Sequence, residues 1–250
     1  MKNNKVLIVK NITREGPGLL AQVLKGKNIS FDIVDLGKGE LLPNPEEYSA
    51  VFVFGGPDSA NDTTTKMHRE LTYVKEILNK KIPYLGICLG LQILVKVAGG
   101  EVIKSPYKEI GFKDHEKNPF EIIMLTQTGK HDLLFNGMGE HFKVFQLHGE
   151  TVNITDSMKL LAIGKWVKNQ IVKVSDKAYG IQCHFELTEE MLNLWIKEDS
   201  DLSQLDKNHL EKEFESIRWE YTKIGKQFFT NFLQIARLIE KNESILQKIE

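Results

Sequence analysis

Over the first hundred residues, short apolar runs alternate with segments whose apolar positions recur every three or four residues. Lys5–Lys10 and Phe31–Leu36 are β-branched runs suited to buried parallel strands, with the helix-like Gly18–Lys27 between them. Ala50–Phe54 predicts a third strand, and it ends in Gly55-Gly56-Pro57-Asp58-Ser59. Met67, Leu71, Val74 and Leu78 stand at helical spacing, so residues 66–80 should lay one face on the sheet. Ile82-Pro83-Tyr84-Leu85 is the next apolar run. It leads within a few residues into the helix-patterned Leu91-Gln92-Ile93-Leu94-Val95, which Gly99-Gly100 closes. This rhythm predicts a parallel sheet with right-handed crossovers and helices on both faces.

The middle third changes character. Phe120–Thr126, Phe142–Leu147, Leu160–Gly164, Asn169–Val174 and Ala178–Cys183 read as strands with few helices between them, hence as a mixed extension with antiparallel pieces. The polar segment Lys104–Pro119, with Pro106 and Pro119, reads as a loop over the site's entrance. From Thr188 the chain is helical. Thr188 marks a helix start, although the capping-box position falls on Met191 and leaves the box incomplete. Phe214, Ile217, Tyr221, Ile224, Phe228, Phe232, Ile235 and Ile239 step along one long helix, whose face suits either the protein's own core or a dimer or partner surface. The expected fold class is α/β: an open mixed, mostly parallel sheet flanked by helices in three layers. Residues 1–250 are expected to form one domain, of which 200–250 is a helical C-terminal extension.

Charge narrows the choice of partners. Lysine plus arginine number 33 against 34 aspartates and glutamates, and no like-charge block forms a tail, so neither nucleic acid nor an anionic membrane is an expected partner. No apolar run approaches bilayer length, and the stretch from Met1 into Val6-Leu7-Ile8-Val9 is too short for a signal sequence. Two cysteines, Cys88 and Cys183, are too few for a disulfide framework, which makes the cytoplasm the expected compartment. No metal and no cofactor are expected.

The chemistry is concentrated at Gly86-Ile87-Cys88-Leu89-Gly90, between a strand pattern and a helix pattern. A cysteine at the apex of such a turn, with glycine two residues to either side, has the geometry of a nucleophile elbow. The turn is tight, and side chains at the glycine positions would collide with the strand and helix. The helix N-terminus behind the sulfur should favour the thiolate. A nucleophile needs a base and the base an orienting group. His184 and Glu186 stand two apart after a buried-type strand, so on extended backbone their side chains project together. The backbone N–H of Leu89, and that of Gly56 in the loop after the third strand, are candidate donors to an oxyanion. Ligands of open α/β sheets gather at that edge.

Together these segments resemble the class I glutamine amidotransferase family, whose glutaminase domain releases ammonia from glutamine. Gly55-Gly56-Pro57 looks like its oxyanion loop and Leu85–Gln92 like its nucleophile signature. Gln146-Leu147-His148-Gly149-Glu150 is similar to its second His-Gly motif, and Gly180–Glu186 to its terminal His-x-Glu. The resemblance spans residues 5 to about 196 and implies a flavodoxin-like sandwich. It implies Cys88 as nucleophile, His184 as general acid and base, Glu186 as its orienter, and Gly56 and Leu89 as oxyanion donors. Gln92 and the backbone at His148 and Gly149 would hold the amino acid end of the substrate, with His148 itself structural. The family's usual proline between the catalytic His and Glu is replaced here by Phe185, which leaves the local backbone freer to shift. Cys183 should point away from His184 as a core thiol.

Arg14-Glu15-Gly16-Pro17-Gly18, Glu109-Ile110-Gly111 and Asn169-Gln170 look most like free-standing proteins related to the glutaminase domain of GMP synthetase. No ATP-pyrophosphatase or P-loop segment is present. Three readings are therefore open: a glutaminase subunit that passes ammonia to a separate synthetase, a free-standing hydrolase of γ-glutamyl amides or peptides, and a non-enzymatic regulatory member. Neither the ammonia acceptor, the γ-glutamyl leaving group, a homodimer nor a requirement for a partner protein is decided by the sequence.

Overall fold

The structure, a computed structural model, describes residues 4–114, 116 and 120–240. In chain order its elements are β1 (Lys5–Lys10), α1 (Gly18–Gly26), β2 (Ser30–Asp35), β3 (Ala50–Val53), α2 (Thr65–Asn79), β4 (Tyr84–Ile87), α3 (Leu89–Val97), β5 (Glu101–Gly111), β6 (Glu121–Leu125), α4 (Gln127–Lys130), β7 (His141–Val144), β8 (Gln146–Asn153), β9 (Lys159–Ile163), β10 (Asn169–Ser175), β11 (Ala178–Ile181), α5 (Glu189–Glu198) and α6 (Lys207–Ile235).

Among the described residues, nine strands form one sheet in the order β2-β1-β3-β4-β11-β10-β9-β6-β7, and β5 pairs with β8 in a small second sheet. From β2 to β11 every neighbour is parallel, and from β11 to β7 every neighbour is antiparallel. This is the mixed, mostly parallel α/β arrangement that the alternating pattern predicted. Burial explains the pattern's clarity. Val6 and Ile8 join one core cluster while Leu7 and Val9 join another, because successive strand residues face opposite sides of the sheet. Helices α1, α5 and α6 contribute to the first core, and α2 and α3 to the second.

Three expectations are corrected. Most of the segment read as an entrance loop is strand: residues 104–111 lie in β5, where Lys104 pairs with Glu150 and Glu109 with His148. The register breaks between Lys104 and Glu109, which accommodates Pro106 and explains why the segment lacked a clean strand signature. Residues 115 and 117–119 of that segment lie outside those described. Phe142–Leu147 is not one strand but the end of β7 and the start of β8. Phe145 between them leaves the main sheet to bridge His184 in antiparallel fashion. The strand before the elbow starts at Tyr84 rather than Ile82 and runs directly into the turn.

The long C-terminal helix buries its apolar face on its own chain. Phe214, Ile217, Tyr221, Phe228 and Phe232 all belong to the first core cluster, as do the neighbouring Phe229 and Leu233. Full burial of each such side chain contributes about 1.5–3 kcal/mol, which accounts for this choice between the two readings of the face. Thr188 caps α5 by accepting from Met191 N at 3.3 Å, so the incomplete box still supplies its hydroxyl half.

Candidate active site

Four loops at the C-terminal ends of parallel strands converge on one cavity. They follow β1, β3, β4 and β11; the first three bring Glu15, Gly56 and Cys88 to its wall, while His184, from the fourth, is buried behind Cys88 and does not line the cavity. The cavity measures about 720 Å³ and is lined by Cys88, Leu89, Gln92, Gly56, His148 and Gly149 among others. That volume is ordinary for a small-molecule site.

The elbow is built as its glycines suggested. Cys88 has φ 52° and ψ −106°, a conformation that L-residues rarely adopt. A side chain on Gly86 would strike the Gly90 carbonyl group and come within 2.7 Å of Leu91 N, and one on Gly90 would strike the Val53 carbonyl oxygen. The strained turn is tied down on both sides: Cys88 N donates to Ile181 O at 2.7 Å, and Tyr84 Oη donates to Gly90 O at 2.8 Å. Leu91 N and Gln92 N both donate to Cys88 O, starting α3 directly behind the sulfur.

His184 is fixed from several directions. Its backbone N–H donates to Phe145 O at 2.9 Å, and its carbonyl accepts from Tyr221 Oη of α6 at 2.6 Å. Its ring meets Trp195 edge-on, with centroids 5.1 Å apart. Nδ1 lies 2.6 Å from Glu186 Oε1. Nε2 is buried without a hydrogen-bond partner, and Cys88 is the thiol that acts on this ring. Burial opposes a charged imidazole here. The Glu186 charge, with the nearby Cys88 side chain and the Glu186 contact at Nδ1, outweighs it and holds the His184 pKa well above its usual value.

Phe185, in the position where proline is usual, is fully buried. Its ring stacks on Phe228 of α6 at 4.9 Å, and its N–H donates to Glu186 Oε2 at 3.0 Å. Cys183 is buried in the first core, and burial pushes its pKa well above the ordinary thiol value, the opposite of what a reactive cysteine needs.

On the other side of the cavity, Gln92 Nε2 donates to Glu150 O at 3.3 Å. His148 Nδ1 lies 3.1 Å from the same carbonyl, and its Nε2 lies 2.9 Å from Glu109 Oε2. Nδ1 of the His148 ring is thus hydrogen-bonded, whereas Nε2 lies beside Glu109 without completing a hydrogen bond. Gln170 extends this buried chain from Glu109 to Gln146.

Two neighbours of the sulfur carried no assignment from the sequence. Gln182 Nε2 donates toward Cys88 Sγ at 3.7 Å, and the Leu147 carbonyl lies 3.7 Å from the same sulfur. The signal for Gln182 was present, because it stands two residues before His184 on an extended segment and so shares its face. Glu15 is the other surprise. Burial pushes its carboxyl up to about 7 against the pull of nearby His184.

A family model described as glutamine amidotransferase class-I matches residues 18–194. The glutamine amidotransferase-like protein YfeJ of Salmonella typhimurium is 28% identical over 212 residues, 82% of this chain and 85% of its own. A glutamine-hydrolyzing GMP synthase subunit of Sulfurisphaera tokodaii is 28% identical over 165 residues, 62% of this chain and 80% of its own. Against the GMP synthase of Borreliella burgdorferi the match spans only 20% of that protein's length. A crystal structure of a glutamine amidotransferase from Thermotoga maritima superposes with a TM-score of 0.81 at 28% identity, covering 96% of this chain and all of that one.

Proposed function

The chain belongs to the class I glutamine amidotransferase family, and from that premise we propose that it hydrolyses the γ-carboxamide of glutamine through a cysteinyl thioester. Cys88 passes its proton to His184 Nε2 and its sulfur attacks the γ-carbonyl. The oxyanion that forms is held by the N–H groups of Gly56 and Leu89. The protonated imidazole, stabilised by Glu186, then gives its proton to the nitrogen as the C–N bond breaks, and ammonia leaves. Water, deprotonated by the same His184, cleaves the thioester and releases glutamate. Gln92 and the backbone at Gly149 hold the amino acid end.

The observation that carries this reading is the buried His184–Glu186 contact of 2.6 Å, with Nε2 left unpartnered on the side of Cys88. Such an arrangement serves proton transfer better than it serves stability, since an unsatisfied buried nitrogen costs about 1–3 kcal/mol. The likeness to the GMP synthase subunit of Sulfurisphaera tokodaii supports a further step, in which ammonia passes to a separate synthetase protein.

A second reading uses the same triad on γ-glutamyl peptides. It is favoured by the cavity, which continues past Cys88 to Glu198 and Asp201 at the end of α5. Assaying free glutamine beside γ-glutamyl dipeptides separates the two, with Cys88→Ser as the control. Release from glutamine, abolished in Cys88→Ser, is the expected result. Fast release from dipeptides alone would establish the peptidase, and unchanged turnover in Cys88→Ser would remove both.

A further inference from the structure

Glu15 is an ionisable side chain beside Cys88 for which the proposed reaction has no use. It lies in the turn after β1, 4% exposed, and its Oε2 is buried with no hydrogen-bond partner. A side chain on Gly55 would begin at a point 3.3 Å from Cys88 Cβ, and Glu15 Oε2 crowds that same point. The carboxyl and the methylene that carries the sulfur therefore flank the same glycine, and both line the cavity. The carboxyl lies close enough to His184 and Glu186 to feel both charges.

This turn is anchored to the catalytic segment. Trp195 Nε1 donates to Arg14 O at 3.1 Å, and the same indole packs edge-on against His184. Leu19 N donates to Glu186 O at 2.9 Å, and Arg14 Nη2 bonds Asp199 Oδ2 at 2.6 Å. Glu15 is thus held in place by residues that also hold the histidine and its orienter.

A γ-carboxamide seated on Cys88 has three groups to place. Its oxygen turns to the Gly56 and Leu89 N–H groups, and its amino acid end to Gln92 and Gly149. The nitrogen is left facing His184. That nitrogen carries N–H donors, and a protonated imidazole offers them no acceptor. Glu15 Oε2 and Gln182 Oε1 are both unpartnered acceptors near Cys88, and of the two residues Glu15 is the one that lines the cavity. We propose that Glu15 accepts a hydrogen bond from the departing nitrogen and so selects γ-glutamyl amides over γ-glutamyl esters. This role rests on the glutaminase reaction proposed above. His184 delivers its proton to the nitrogen as the C–N electron pair departs with it. The nitrogen's N–H groups become stronger donors at that point, so the contact is worth more in the transition state than in the bound substrate. Either protonation state of the carboxyl keeps an acceptor lone pair.

The test compares kcat/KM for L-glutamine and for glutamic acid γ-methyl ester, whose leaving oxygen has no N–H, on the full chain. Both values report the steps up to departure of the leaving group. Glu15→Ala should lower the value for glutamine about ten- to a hundredfold and leave the ester nearly unchanged. Glu15→Gln, which keeps an oxygen acceptor, should restore much of the loss. Glu15→Met, similar in size without an oxygen, should behave like Glu15→Ala and decides the matter if the alanine variant unfolds. Equal losses on both substrates, or no loss on either, would overturn the role. A wild-type protein silent on both substrates would instead sink the proposed reaction itself, and this role with it.

Discussion

The carboxylate of Glu186 is shared between two neighbours in sequence: Oε1 meets His184 Nδ1 at 2.6 Å, and Oε2 accepts the N–H of Phe185 at 3.0 Å. A proline at 185 has no N–H to give. The departure from the resemblance therefore adds a hydrogen bond to the Glu186 carboxylate, while the ring it introduces docks on Phe228.

Phe185→Pro should accordingly cost stability as well as activity. The buried ring and its stacking are lost, a change on the order of 3 kcal/mol or more. A urea titration monitored by circular dichroism should show a lowered midpoint, with glutamine turnover falling at temperatures where the variant is still folded. An unchanged midpoint would mean the ring contributes nothing at this position.

A glutamine-like electrophile should attach at Cys88 and spare Cys183. The first lines the cavity, whereas the second is buried in the core with its thiol held protonated. Peptide mass mapping after labelling reads this directly. Modification at Cys183 with Cys88 untouched would name the wrong nucleophile.

Gly86→Ala should break the elbow. Its Cβ would meet the backbone of Gly90 and Leu91, which has no side-chain freedom with which to yield. The expected result is loss of turnover together with a lower melting temperature. Full activity would show that the turn can open without harm.

Buried carboxyls should make stability depend on pH. Burial raises Glu70 from 4.5 to about 7, although Asn11 and Lys66 pull the other way. A carboxyl whose folded pKa is raised favours the folded state fully below its unfolded value, and that contribution is lost as pH rises through the folded value. Stability should therefore fall between about pH 4.5 and pH 7, by up to roughly 3 kcal/mol from this residue. Glu15 and Glu121, also raised to about 7 by burial, act in the same window. Glu70→Gln should flatten the slope of urea midpoints taken from pH 5 to pH 8. An identical slope in the variant would place the proton elsewhere.

The parallel half of the sheet was legible because its strands are buried on both faces and read as unbroken apolar runs, as Leu7-Ile8-Val9 and Val51-Phe52-Val53 do. The elbow was legible because its geometry admits few side chains. β5 was not, because one of its faces is exposed and its register breaks near Pro106. The split at Phe145 was invisible for another reason. Its pairing with His184 joins residues far apart in sequence, and no local pattern encodes such a bridge. Glu15 went unassigned because only the fold brings the end of β1 beside Cys88.

Helix α6 begins beyond residue 194, where the family match ends, yet it supports the histidine through Tyr221 and covers the sheet with Phe214, Phe228 and Phe232. Shortening the chain before Lys207 would uncover the rings these side chains pack against, Phe52, Phe112, Phe135 and Phe185. Such a surface favours self-association in water. The helix thus keeps that apolar surface from water. A chain ending at Asp206 is expected in the insoluble fraction on expression, and a soluble, monomeric product would show that the cover is dispensable.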